Sequence, residues 1–218
     1  MSIVLLGSTS GSITLQEPAV AGTTTLTLPA TTGTVVVGSS AVSAAGQIPF
    51  STDGSTYTPT AKIVSGTAVT LTTQTSVDYT SIPSWVKRIT VMLSGVSTSG
   101  TSGIRFRLMV GGVAVTTNYT AGAFAITTTV AASVSTVTDG FPLSIASASS
   151  VQQGQIVLCK LSSNAWTATG SFFDSLATER IAVVTGRAFS VGTVDGLRVT
   201  TTGGTDTFDA GSINILYE

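Results

Sequence analysis

Apolar and polar residues alternate with a period of two through much of this chain. In "RITVML" (88–93), Ile89, Val91 and Leu93 alternate with Arg88, Thr90 and Met92, the pattern of a strand with one buried face. "GIRFRLMVGGVAVTT" (103–117) is the clearest hairpin. Ile104, Phe106, Leu108 and Val110 share one of its faces, and Arg105, Arg107 and Met109 the other. Gly111-Gly112 supplies two residues able to take the positive φ of a tight primed turn. Further strands are expected in "QIVLCKL" (155–161), "AWTATGSFF" (165–173), "RIAVVTG" (180–186), "GLRVTTT" (196–202) and "SINILYE" (212–218), with turns at Asp139-Gly140 and Asp195-Gly196. No segment sustains a 3.6-residue period between caps. The pattern predicts an all-β chain, with an antiparallel β-sandwich, jelly-roll-like, over residues 61–218.

Residues 1–60 read differently. "GSITLQEPAVAGTTTLTLPATTGTVVV" (11–37) holds three short apolar-and-threonine pieces, separated by Gly, Pro and Ala, with Glu17 as its one charge. "SAAGQIPFSTDGSTYTPT" (43–60) follows, with a turn at Asp53-Gly54 and strand stops expected at Pro49 and Pro59. Too few alternating apolar positions are present to close a core. The expected organisation is an N-terminal arm or short stalk, 1–60, ahead of a sandwich, 61–218.

Composition sharpens this. Of 218 residues, 9% are charged and 42% hydrophobic, where an ordinary soluble domain carries about 25% charge. Mean hydropathy is +0.48. No run approaches the roughly 18–20 apolar residues of a spanning helix, so no membrane insertion is expected. "MSIVLLGSTS" lacks the basic start and apolar length of a signal peptide, which predicts synthesis in a cytoplasm. Cys159, the single cysteine, excludes an intrachain disulfide and reads as a small core residue. Net charge is −1 with nine scattered basic residues, no electrostatic footprint for nucleic acid. The chain has no histidine, which removes Ser–His and Cys–His nucleophile activation and the commonest metal ligand.

The remaining candidate chemistry is sparse. Asp53, Asp139 and Asp195 each precede Gly and read as turn residues, and Asp78 lies just before "SIPSW". No carboxylate pair for glycan hydrolysis is expected, and the chain reads as non-enzymatic, without a cofactor. "TDTFDAG" (205–211) brings Asp206 and Asp209 together in sequence, with Asp174 a third oxygen source across the sheet. A calcium ion wants such oxygens, but a hairpin with solvated acids outweighs that reading, and no metal site is expected. Trp85, Trp166, Tyr57, Tyr79 and Tyr119 are aromatics that can stack on a sugar ring. Trp85 reads as a core or edge plug. Tyr119, in the loop after the Gly111-Gly112 hairpin, and Trp166 are the candidates for a receptor contact. Arg105 and Arg107 mark either a solvated face or a subunit contact. "STSGTSG" (97–103) is a loop, since a phosphate cradle needs a following helix and a lysine.

Three stretches carry a family resemblance. Residues 11–37, quoted above, resemble an N-terminal module of tailed-bacteriophage fibre and other virion proteins. "SIPSWVKRITVMLSGVSTSGTSG" (81–103) and "VDGLRVTTTGGTDTFDAGSINILYE" (194–218) look like the opening and closing strands of a small β-domain in phage and prophage structural proteins. The resemblance implies a homotrimer on the virion exterior, of capsid-decoration or head-fibre type, contacting the major capsid or tail protein, and it brings no catalytic residues. The alternative is a short tail fibre, a receptor-binding protein that recognises a host surface glycan or protein. The shortness of the segment ahead of the sandwich favours the compact appendage. Within it, residues 1–40 are the expected docking element. Ile13, Leu15, Leu26, Leu28, Val35 and Val37 must leave water, each at a gain of roughly 1.5–3 kcal/mol, against sister arms or the virion protein beneath, the alternative being an arm folded back on its own domain.

Overall fold

The computed structural model describes residues 3–6, 12–15, 47–50 and 58–61 as strands, and residues 63–126, 135–144, 147–175, 179–190 and 192–218 more fully. The chain forms two compact units, Met1–Val37 and Gly38–Glu218. In the first, β1 (Ile3–Leu6) pairs antiparallel with β2 (Ser12–Leu15), Leu5 opposite Ile13. The second begins, among the described residues, with a hairpin of β3 (Gln47–Phe50) and β4 (Thr58–Ala61). The unit boundary therefore precedes the one expected at residue 60. Pro49 and Pro59 do not stop these strands but face each other across the ladder. Proline lacks an N–H, and a pair whose N–H groups point away from the partner loses no ladder bond.

Short β5 (Val64–Ser65), β6 (Val69–Thr70) and β7 (Ser76–Tyr79) lead into β8 (Arg88–Thr98). Then come β9 (Ile104–Val110), β10 (Val113–Ala114), β11 (Tyr119–Ile126), β12 (Ser135–Val137) and β13 (Phe141–Leu143). Long β14 (Gln152–Lys160), β15 (Ala165–Asp174) and β16 (Arg180–Phe189) form a meander, followed by β17 (Gly196–Thr201) and β18 (Phe208–Tyr217). The one helical turn among the described residues is a 3-10 turn at Thr202–Gly204. No helix among them is long and apolar enough to cross a membrane.

All pairings among the described residues are antiparallel. The small sheet has the order β10-β9-β17-β7, with β13 also on β9. The large sheet has the order β12-β11-β16-β15-β14-β8-β18-β5, with β6 also on β18. The alternation read from sequence sets the inner faces. Ile89, Val91 and Leu93 of β8 are buried with Ile104, Phe106 and Leu108 of β9 in one core. A register irregularity beside Gly95 changes the parity of β8, so that Val96 and Thr98 also turn inward. The two sheets form a sandwich and are tied by specific contacts. Phe106 stacks on Phe172 of β15, with ring centroids 5.9 Å apart. The Tyr79 hydroxyl of β7 donates to the Ile213 carbonyl of β18 at 2.6 Å. The Gly111-Gly112 turn is as expected, both residues at positive φ, and the Asp195 carboxylate accepts from the Gly112 N–H at 3.2 Å.

Candidate functional site

The small sheet gathers charge on its outer face. Arg105 and Arg107 sit two apart on β9, Arg107 is opposite Arg198 of β17, and Arg198 is opposite Asp78 of β7. Asp139, in the turn before β13, closes the row from the other side. Its carboxylate takes the Arg105 Nε at 2.9 Å and the Arg107 Nη2 at 2.6 Å, and its carbonyl takes the Arg107 Nε at 2.6 Å. Arg198 forks onto Asp78 through two 2.6 Å bonds. Burial by itself would raise the Asp139 carboxyl, but the two arginines donating to it hold it below its usual value. Donation to the accepting Asp78 carboxylate holds the Arg198 guanidinium above its own usual value. The Arg105 and Arg107 side chains are thus largely covered, 12% and 15% exposed, rather than an open solvated face. They are ion-paired within the sheet, the outcome that scarce charge and an aspartate far along the chain made invisible to local pattern.

A second ionic site lies at the end of the large sheet. Asp174 is fully buried and takes the Arg180 Nε at 2.7 Å, while Arg180 also donates to the Ser144 carbonyl at 2.9 Å. Gln152, opposite Asp174 in register, is buried too. Its side-chain amide and the Asp174 Oδ1 have no protein hydrogen-bond partner. With a guanidinium already on Asp174, a cation there would meet like charge. Asp206 accepts from the Ser102 N–H at 2.8 Å, in the glycine-serine loop, and the Ser102 side chain and backbone hold its carboxyl low. Asp209 is bonded to the Ser97 hydroxyl. The three acids weighed as calcium ligands are thus engaged separately. No group of three or more metal-ligating side chains occurs among the described residues.

The aromatic candidates need correction. Tyr119 does not sit in a loop but opens β11, only 2% exposed, with its ring edge-on to Phe141 and its oxygen accepting from the Leu108 N–H at 2.8 Å. Burial pushes its phenol up. Trp166 is likewise 2% exposed and part of the core. Neither side chain can meet a receptor from these positions, because their strands point them between the sheets. Tyr79 is buried as well, its phenol pushed up to about 12 by burial. Trp85 packs partly buried against the core, 6.3 Å from the Tyr217 ring, as a plug should. Tyr57 lies outside the described residues. Cys159 was expected in the core and is exposed. Ile156 and Leu158 take the inner face, so Cys159 takes the outer one. Met109, placed outward by alternation, is buried, since Gly196 opposite it has no side chain and Met109 fills the space. Of the arm residues, Ile13 and Leu15 lie on β2, and Leu26, Leu28, Val35 and Val37 fall outside the described residues.

The chain matches no family model, no curated protein and no solved structure.

Proposed function

We propose that this chain is a non-enzymatic structural protein of a bacteriophage particle. It is a trimeric exterior appendage of the capsid-decoration or head-fibre type, docked through its N-terminal arm to the major capsid or tail protein. The observation that carries the reading is how the acids are used. Asp78, Asp139, Asp174 and Glu218 are paired with arginines, and Asp195, Asp206 and Asp209 with backbone or hydroxyl groups of the same sandwich. These groups tie strands together, and none is left as an acid facing a second acid across a cleft, the arrangement glycan cleavage requires. The resemblance of residues 11–37 to an N-terminal module of phage fibre and other virion proteins supports the role of the arm. The receptor-binding alternative loses its two aromatic contacts, Tyr119 and Trp166, to the core.

Particle reconstruction with the full chain bound, beside co-sedimentation of a chain beginning at Ala41, tests this reading. The full chain should decorate particles. The shortened chain should keep its β circular dichroism and stay in the supernatant. Equal decoration by the shortened chain would remove the arm from the docking role.

A further inference from the structure

The outer face of the large sheet differs from that of the small one in how little charge it carries. Register places its outward side chains in rows across the strands. One row is Ile126, Ile181, Phe173 and Gln153. The next is Phe124, Val183, Ser171, Gln155, Met92 and Asn214. A third runs Gly122, Thr185, Thr169, Val157, Thr90, Leu216 and Ser65. None of these residues carries a charge. Charge first returns in the following row, with Arg187 and Arg88. Ile126 and Ile181, opposite each other, are 52% and 49% exposed, and Phe173, Phe124 and Val183 adjoin them. A sheet face left in water ordinarily alternates toward polar and charged residues. The small sheet of this same molecule does so.

We infer that this face is the surface through which copies of this chain pack on one another. Two features select a second copy as the occupant. A partner rich in charge would have to strip water from its ions against a face with no counter-charge, at a cost of several kcal/mol per ion. The partner must therefore offer an uncharged, apolar-and-hydroxyl surface, and each copy of a chain with 9% charged residues already carries one. The area also suits. Seven strands about 4.8 Å apart, with rows about 6.7 Å apart, span roughly 30 by 20 Å, or about 600 Å², which three chains converging on a threefold axis would each divide between two neighbours. This names the surface behind the trimer proposed above and rests on that oligomeric reading, but not on the virion role.

The test uses the full chain in solution, without particles. Wild type should sediment as a trimer at micromolar concentration. Ile181→Glu and Thr169→Lys should raise the concentration for half-dissociation by about tenfold or more, since each buries an unpaired charge at the contact. Val113→Glu, on the exposed β10 of the small sheet, should leave it unchanged. Should a face variant fail to fold, footprinting of wild type decides. Met92 and Phe173 should be protected from oxidation at high concentration and become reactive on dilution. Face variants that associate like wild type, Met92 and Phe173 equally reactive at all concentrations, or a monomeric wild type would each overturn the inference. A monomer that still decorates particles would do so while leaving arm docking intact. A face-dependent trimer that never binds particles would support the face and remove the docking role.

Discussion

The two sheets share one core and differ on their outer faces. The small sheet carries Asp139 with Arg105 and Arg107, and Asp78 with Arg198, as two ion-paired groups on its outer face. The large sheet carries three consecutive outer rows without a charge. In a chain with nine basic and ten acidic residues, that is a strong asymmetry. Carboxylates and guanidinium groups act as cross-strand ties where the sheet must hold itself together in water. They are absent from three consecutive rows of the large sheet's outer face.

The largest effect is expected where a tie is cut. Asp139→Ala leaves Arg105 and Arg107, whose side chains are 12% and 15% exposed, without their counter-ion. The loss should be about 2–4 kcal/mol in urea unfolding, toward the lower end because Asp139 itself is a third exposed. A loss within about 0.5 kcal/mol would erase the contrast between the sheets.

The same tie predicts an acid-side dependence. The folded-state pKa of Asp139 is depressed by its arginine partners, so its contribution is fully present above the unfolded value of about 3.9 and is lost as pH falls through the folded value. Unfolding free energies measured from pH 6 down to pH 2 should decline below about pH 4. In Asp139→Asn that decline should be shallower, because one of the titrating groups is gone.

Asp78→Ala sharpens the comparison at smaller scale. The Asp78–Arg198 pair is bidentate, but both side chains are about a third exposed, so removal should cost about 0.5–1 kcal/mol and less in about 1 M salt. Smallest of all is Thr185→Val on the large sheet. It places an apolar β-branched residue in a row that carries no charge, and unfolding at a concentration where the chain is monomeric should shift by no more than about 0.5 kcal/mol.

The long strands were legible because their inward residues contrast strongly with their neighbours. Ile89, Val91 and Leu93 in β8, and Ile156 and Leu158 in β14, announce their faces. β11 was missed, since Ala121 and Ala123 occupy inner positions that elsewhere hold Ile or Phe, and Tyr119 at its start reads as a loop aromatic. β13 is three residues around Pro142, too short to show a period, yet Phe141 and Leu143 are fully buried. The Gly111-Gly112 turn was readable, because only local backbone geometry decides it. Of the candidate site, the sequence exposed the scarcity of charge and the lack of histidine. It did not reveal that the arginines of β9 share Asp139.

By itself, then, the sequence determined the all-β class, the period that sorts residues into two faces per strand, and the positions of the main turns. These follow from interactions within a few residues. Only the tertiary structure decided which face is inner when both hold apolar or aromatic groups. It turned Tyr119 and Trp166 into the core and Cys159 outward. It also decided which charges meet. Asp78 and Arg198 stand 120 residues apart in the chain and become neighbours because β7 and β17 pair within the small sheet. Period-two alternation is a relation between adjacent residues and contains no information about which distant strand will lie alongside. That choice is made when both sheets close over one core, and with it the division between a face of ion pairs and a face with three uncharged rows.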